Sequence, residues 1–148
     1  MATNYFYNAW TNLISIIKVA YPRFADTERI KVRDVLMSVD MSYDDFILIK
    51  PENDELLGER TKGRDSAFHL TLTYIIKQYP EVDYEVLSQF AENLIDTLED
   101  NRASGTNWNN ISVGNVLYSV DFPVPEEGEI VDHYGFTMEI IMLKLPKK

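Results

Sequence analysis

A change of hydrophobic period within residues 64–100 constrains this chain more than any other feature. Phe68, Leu70, Leu72, Tyr74 and Ile76 recur at every second position with His69, Thr71 and Thr73 between them, so a strand here turns one apolar side to a core. Pro80 and Asp83 break that rhythm. Val82, Val86, Leu87, Phe90, Ala91, Leu94, Ile95 and Leu98 then recur at helical spacing, with Glu85, Gln89, Glu92, Asn93, Asp96 and Glu99 around the rest of the helix. A short connection lets the helix fold back and lay its apolar face across the strand. Truncating a buried ring such as Phe90 typically costs about 3 to 5 kcal/mol, so these two faces are expected to supply the main core.

The 148 residues suit one domain, residues 1–148, which on folding buries roughly 70 % of the surface its unfolded chain exposes. Cysteine is absent, so disulfides and thiolate metal sites are excluded, which fits a reducing compartment. Residues 1–10 lack the basic-then-apolar order of a secretory signal, and no run approaches the roughly 20 apolar residues of a membrane span. A soluble intracellular protein is the expectation.

Charge is distributed unevenly. The whole chain carries −10, yet residues 78–132 alone sum to −11, with Arg102 the one base against twelve acids. Such a segment repels nucleic acid and disfavours a phosphate-binding groove there, or it serves only as a solvated acidic face.

Outside the central stretch, residues 4–20 predict a first helix with Phe6, Trp10, Leu13, Ile14 and Ile17 along one stripe, stopped by Pro22. Residues 30–39 are ambiguous: Val32, Val35 and Leu36 suggest a helical turn, whereas Val35, Met37 and Val39 alternate as a strand would, and a strand or irregular crossing is the favoured reading. Residues 46–50 predict a short strand ended by Pro51 and paired with the strand at Phe68. Between them, residues 51–66 are long for a hairpin connection, which usually takes about 2 to 5 residues. Arg60, Lys62 and Arg64 lie near its tip. They make either an arm that docks on an acidic neighbour, such as another copy of the chain, or a solvated loop.

Beyond the second helix, Trp108 is expected to turn inward. Ile111 and Val113 share one side of the next strand, whereas Val116, Tyr118, Val120 and Phe122 share the other. A bulge near Gly114 and Asn115 would keep both sets inward. Pro123 and Pro125 are expected to end that strand, and residues 126–132 to form an acidic loop. Residues 136–145 predict a last strand, apolar on both faces around Ile141 and Leu143, as befits a central strand or an interface. The expected fold is α+β: a single domain whose mixed or antiparallel sheet of about four strands packs against two helices, with a long projecting β-hairpin loop.

Chemistry is sparse. His69 sits among threonines on the polar strand face, where an exposed or interface imidazole is expected rather than a catalytic base. His133 lies near Glu126, Glu127, Glu129 and Asp132 without the ligand spacing or turn glycine of a calcium loop. No phosphate-cradling glycine loop, nucleophile elbow or zinc helix motif is present. A metal-dependent nuclease would use Asp44, Asp45 or Glu139, but the base nearest Glu139, Lys144, is an odd number of residues away and so points to the other strand face.

The order helix, strand, long loop, strand, helix, strand, acidic loop, strand resembles the tail terminator (tail completion) proteins of long-tailed bacteriophages. The residues that carry the resemblance are Phe46-Ile47-Leu48-Ile49-Lys50-Pro51, the polar loop 58–65 leading into Phe68-His69-Leu70-Thr71-Leu72-Thr73-Tyr74, the helix 84–98, and residues 111–122 with 136–144. The chain departs from the pattern in a longer segment, 21–43. The resemblance implies a non-enzymatic virion subunit, without cofactor, metal or membrane contact. Six copies would form a ring that caps the tail tube, stops its polymerisation and offers a surface to a neck or head-completion protein. Assembly would take place in the host cytoplasm, and the ring would end at the tail–neck junction, with genome DNA passing through unbound. The expected subunit interface pairs Arg60, Lys62 and Arg64 with the acidic residues Glu92, Asp96, Glu99 and Asp100. Those acids could instead face the channel and keep DNA sliding, in which case reversing them should slow DNA ejection. The alternatives are another head-to-tail connector, or a small metal-dependent nuclease or hydrolase.

Overall fold

The computed structural model describes residues 5–25, 29–32, 45–60, 63–77, 84–102, 108–126 and 129–144. Helix α1 (Tyr5–Ala20) centres its buried stripe on Ala9, Leu13 and Ile17. Phe6, Trp10, Ile14 and Ile16 pack on its flanks, and Phe6 stacks on Phe68 with centroids 4.8 Å apart. The small Ala9 lets the helix axis approach the sheet while the larger rings wedge in at the sides. Pro22 then opens a 3-10 turn (Pro22–Phe24) that drives Phe24 into the core.

Helix α2 (Tyr84–Asp100) buries Leu87, Phe90, Ala91, Leu94 and Leu98 as its periodicity requires, whereas Val86 is left half-exposed at the start. The end of α2 is satisfied from two sides. Asn101 Nδ2 donates to the Thr97 carbonyl at 2.8 Å, and the fully buried Trp108 donates its Nε1–H to the Asn101 carbonyl at 3.1 Å. Trp108 thus turns inward as expected.

Both helices cover one face of a five-stranded mixed sheet formed by β1 (Ile30–Val32), β2 (Asp45–Arg60), β3 (Gly63–Lys77), β4 (Asn110–Glu126) and β5 (Glu129–Lys144), in the order β1-β2-β3-β5-β4. The β1–β2 pair is parallel and the others antiparallel. The fold is therefore α+β, with one strand more than expected. The addition is β1, which takes three residues of segment 30–39; the rest of that segment lies outside the described residues.

Register explains the core. Ile47, Tyr74 and Phe136 align across the sheet, as do Ile49, Leu72 and Met138, and Phe68, Met142 and Ile111. All nine are buried beneath the helices. The opposite face is not uniformly polar, because Phe46, Leu48, Ala67 and Ile75 are buried there as well. Strand β5 lies between β3 and β4, so the two-sided apolar pattern at Ile141 and Leu143 belongs to a central strand. The phase change in β4 is resolved by a register shift between Val113 and Val116, which keeps both valines against the core.

Three expectations about strand ends need correction. Residues 51–66 are not a loop: β2 and β3 stay paired through Glu59↔Arg64 and Arg60↔Gly63, with shifts at Pro51/Asn53 and Leu56/Gly58. Among the described residues β1 pairs only with Ile47 to Ile49, so no described neighbour needs the N–H that Pro51 lacks. Pro123 and Pro125 do not end β4, since they lie on its outer edge and pair with Asp132 and Ile130. The expected acidic loop is a ribbon that closes at Glu126↔Glu129; Glu127 lies outside the described residues.

Candidate functional site

The sheet does not end flush. Strand β5 accompanies β3 only from Ser66↔Lys144 to Lys77↔His133. Among the described residues, the β2–β3 ribbon continues past Ser66 without a third strand at one end, and the β4–β5 ribbon does so past Lys77 at the other. At about 3.4 Å per residue, the 15 residues of β3 separate these ends by roughly 50 Å. The β2–β3 end carries Arg60 and Arg64, whose backbones are placed by register and whose side chains are outside the described set, as is Lys62 altogether. The β4–β5 end carries Glu126, Glu129 and Asp132.

Behind the basic end, the strand face without helices is tied down by polar contacts. Thr71 Oγ1 donates to Glu52 Oε1 at 3.0 Å, and Lys50 Nζ stands 3.8 Å from the same oxygen. His69 is half-buried, with Nε2 3.6 Å from Glu55 Oε2. Further out, the ribbon leaves Leu56 and Leu57 about half exposed.

Glu92, Asp96, Glu99 and Asp100 are all exposed on α2, and no ion pair engages them among the described residues. Helical geometry spreads them rather than aligning them. At 100° per residue, Asp96 and Asp100 stand on the shoulder facing solvent, while Glu92 and Glu99 lean toward β4. Burial, followed by the negative charge of Glu92, pushes the Tyr118 phenol above its ordinary range. The last turn of α2 holds no base. Its acids therefore oppose the partial negative charge that a helix C-terminus already carries.

A different cluster was not foreseen. Asp45, at the start of β2, is buried and accepts a hydrogen bond from Arg23 Nε at 3.0 Å, one from Arg29 Nη2, and one from the Tyr74 hydroxyl at 2.7 Å. Arg29 Nε also donates to the Asp45 carbonyl at 3.2 Å. The Arg23 guanidinium lies over Phe24 and Phe90 at 4.6 and 4.9 Å from their centroids. Burial first, then the Asp45 charge, holds the Tyr74 phenol far above its usual range. These contacts clamp the segment after α1 to the root of the hairpin. The sequence hinted at this only through an acid opening the apolar run at Phe46.

The same geometry bears on the carboxylates considered for metal chemistry. Asp45 is on the helix-covered face, opposite Ile76, whereas the exposed Glu139 pairs with Thr71 on the other face. They do not converge, and Asp44 lies outside the described residues. Lys144 points to the helix side, its ammonium 5.4 Å from the Tyr5 ring centroid. Among the described residues no three His, Asp or Glu side chains are grouped so as to share a metal ion. His133 is placed by backbone register alone, against Phe122 and Lys77.

No protein-family model matches this chain, and no curated protein matches it either.

Proposed function

We propose that the chain is the subunit of a head-to-tail ring of the tail-terminator kind, which caps a phage tail tube, stops its growth and offers a surface to a neck or head-completion protein. One observation carries this reading. By register Arg60 and Arg64 lie at the end of the β2–β3 ribbon, with Lys62 between them in sequence, while acids that no ion pair engages among the described residues are exposed on α2 and further acids lie at the far end of the sheet. Two different complementary patches on one subunit are what a heterologous cyclic interface needs, and the basic turn and the acids at the far end of the sheet, about 50 Å apart along β3, satisfy each other only between copies. In this reading six copies close the ring, DNA passes through unbound, and no reaction is catalysed.

Replacing Arg60, Lys62 and Arg64 together by glutamate should leave the circular dichroism and melting of the protein intact and abolish rings seen by electron microscopy. Normal rings from that variant would refute the assignment of the interface. Purified tail tubes separate a terminator from another head-to-tail connector, since a terminator binds the tube end and blocks further addition of tube subunits.

A further inference from the structure

The two shoulders of α2 carry different surfaces. Toward α1 lies an open cleft of about 340 Å³, lined by Ile16 and Val19 of α1 and by Thr97 and Asn101 at the end of α2. Lys18 and Arg102 adjoin its lining residues just as Asp96 and Asp100 do, so charge selects no occupant there. Toward β4 the charge is of one sign. Neither α2 nor β4 contains a lysine or an arginine along its length. Glu92 and Glu99 lean to this side, and no ion pair engages either among the described residues. Arg102, the base nearest Glu92 in sequence, is ten positions away, about 15 Å along a helix.

The same side exposes two aromatic rings. Tyr84, the first residue of α2, is 55% exposed, and Tyr118 of β4 is 39% exposed. Their centroids are 6.3 Å apart and their planes cross at 79°. Tyr118 also meets the fully buried Phe136 at 6.0 Å, so contact with the core holds its ring in place. Glu92 stands on the same shoulder as Tyr84, two turns further along, and its negative charge adds to burial in raising the Tyr118 phenol. Rings in the field of a carboxylate attract a cation in two ways, through their negative faces and through the carboxylate itself. A guanidinium suits both, because it is planar, weakly hydrated and forks onto a carboxylate. A divalent metal suits neither, since no three described His, Asp or Glu side chains are grouped to share one.

We propose that Tyr84, Tyr118 and Glu92 form a seat for an arginine carried by a basic segment of a partner protein, with the guanidinium over the tyrosine rings and paired with Glu92. Strand β4 is at the edge of the sheet, so a polypeptide reaches this side without displacing any described strand. The seat does not depend on copies of the chain forming a ring.

The probe is a short capped peptide with two arginines, titrated into the full chain at low salt while the ring signals of Tyr84 and Tyr118 are followed by NMR. Both should shift and saturate. The same peptide with citrulline in place of arginine, which keeps the shape and loses the charge, should leave them unmoved. Tyr118→Leu and Glu92→Gln should each weaken binding about threefold or more. Tyr118→Phe keeps the ring and should bind as the parent does, which separates the ring from any loss of fold. Equal binding of the arginine and citrulline peptides, or parent-like binding by both Tyr118→Leu and Glu92→Gln, would overturn the seat. Ring signals that shift with protein concentration alone would make a second copy the occupant and overturn the assignment to another protein.

Discussion

The two ends of the β2–β3 hairpin share the same strands and are held by different forces. At the root, Ile47, Ile49, Leu72 and Tyr74 lie under two helices with at most 4% of their surface exposed, and Asp45 is gripped by two arginines and a phenol. At the tip, two strands run on without a third among the described residues, two leucines are half exposed, and the charges are of the sort that keep an edge soluble. The root is stabilised by burial and directed hydrogen bonds within the chain. The tip is expected to contribute little to that stability.

The comparison predicts a graded series of effects. Leu72→Ala at the root should cost about 4 kcal/mol, because the side chain is fully buried and its neighbours cannot collapse into the space. Urea unfolding measures it, and a loss below about 1 kcal/mol would mean that the root is loosely packed. Asp45→Ala should cost about 3 kcal/mol by stranding Arg29, near the low end for a broken buried pair because the Arg23 side chain is 42% exposed to water.

Tyr74→Phe should cost about 1 to 2 kcal/mol at neutral pH through the lost bond to Asp45. It should also change the alkaline limb. The folded chain holds the Tyr74 proton to higher pH than the unfolded chain does, so its contribution is complete below about pH 10 and is lost as pH rises above that value. Stability of the parent protein should therefore fall more steeply above pH 10 than that of Tyr74→Phe, and equal slopes would refute the contribution. Leu57→Ser at the tip closes the series. Its effect on monomer unfolding should stay within about 0.5 kcal/mol, and a larger loss would show that the ribbon belongs to the folding core.

Much of the architecture was legible because it is written in local periods. The alternation from Phe68 to Ile76 and the helical spacing from Leu87 to Leu98 placed strand, helix and core face, and the phase change after Val113 placed the bulge in β4. Prolines misled. Pro51, Pro123 and Pro125 are strand-ending signals in a linear reading, yet each sits where no neighbour among the described residues requires its N–H. The ribbon from Pro51 to Arg60 was read as a loop for a related reason. Its glycine, charges and bulges lack the alternation that burial imposes, since among the described residues only β3 pairs beside it.

The interface candidates divide in the same way. The signs and positions of Arg60, Lys62, Arg64 and the acids of α2 were plain from composition, whereas their placement was not. The cleft between α1 and α2 joins residues about 80 positions apart, and Asp45 meets Arg23, Arg29 and Tyr74 from three separate elements.

By itself the sequence determined which segments could be strand or helix and which side of each would be apolar, because those preferences act over a few residues. Strand order, the extension of each ribbon past its neighbour and the burial of an acid between two arginines were decided only by tertiary structure. Each depends on which distant backbone supplies a hydrogen-bonding edge or a counter-charge, and no local period encodes that choice.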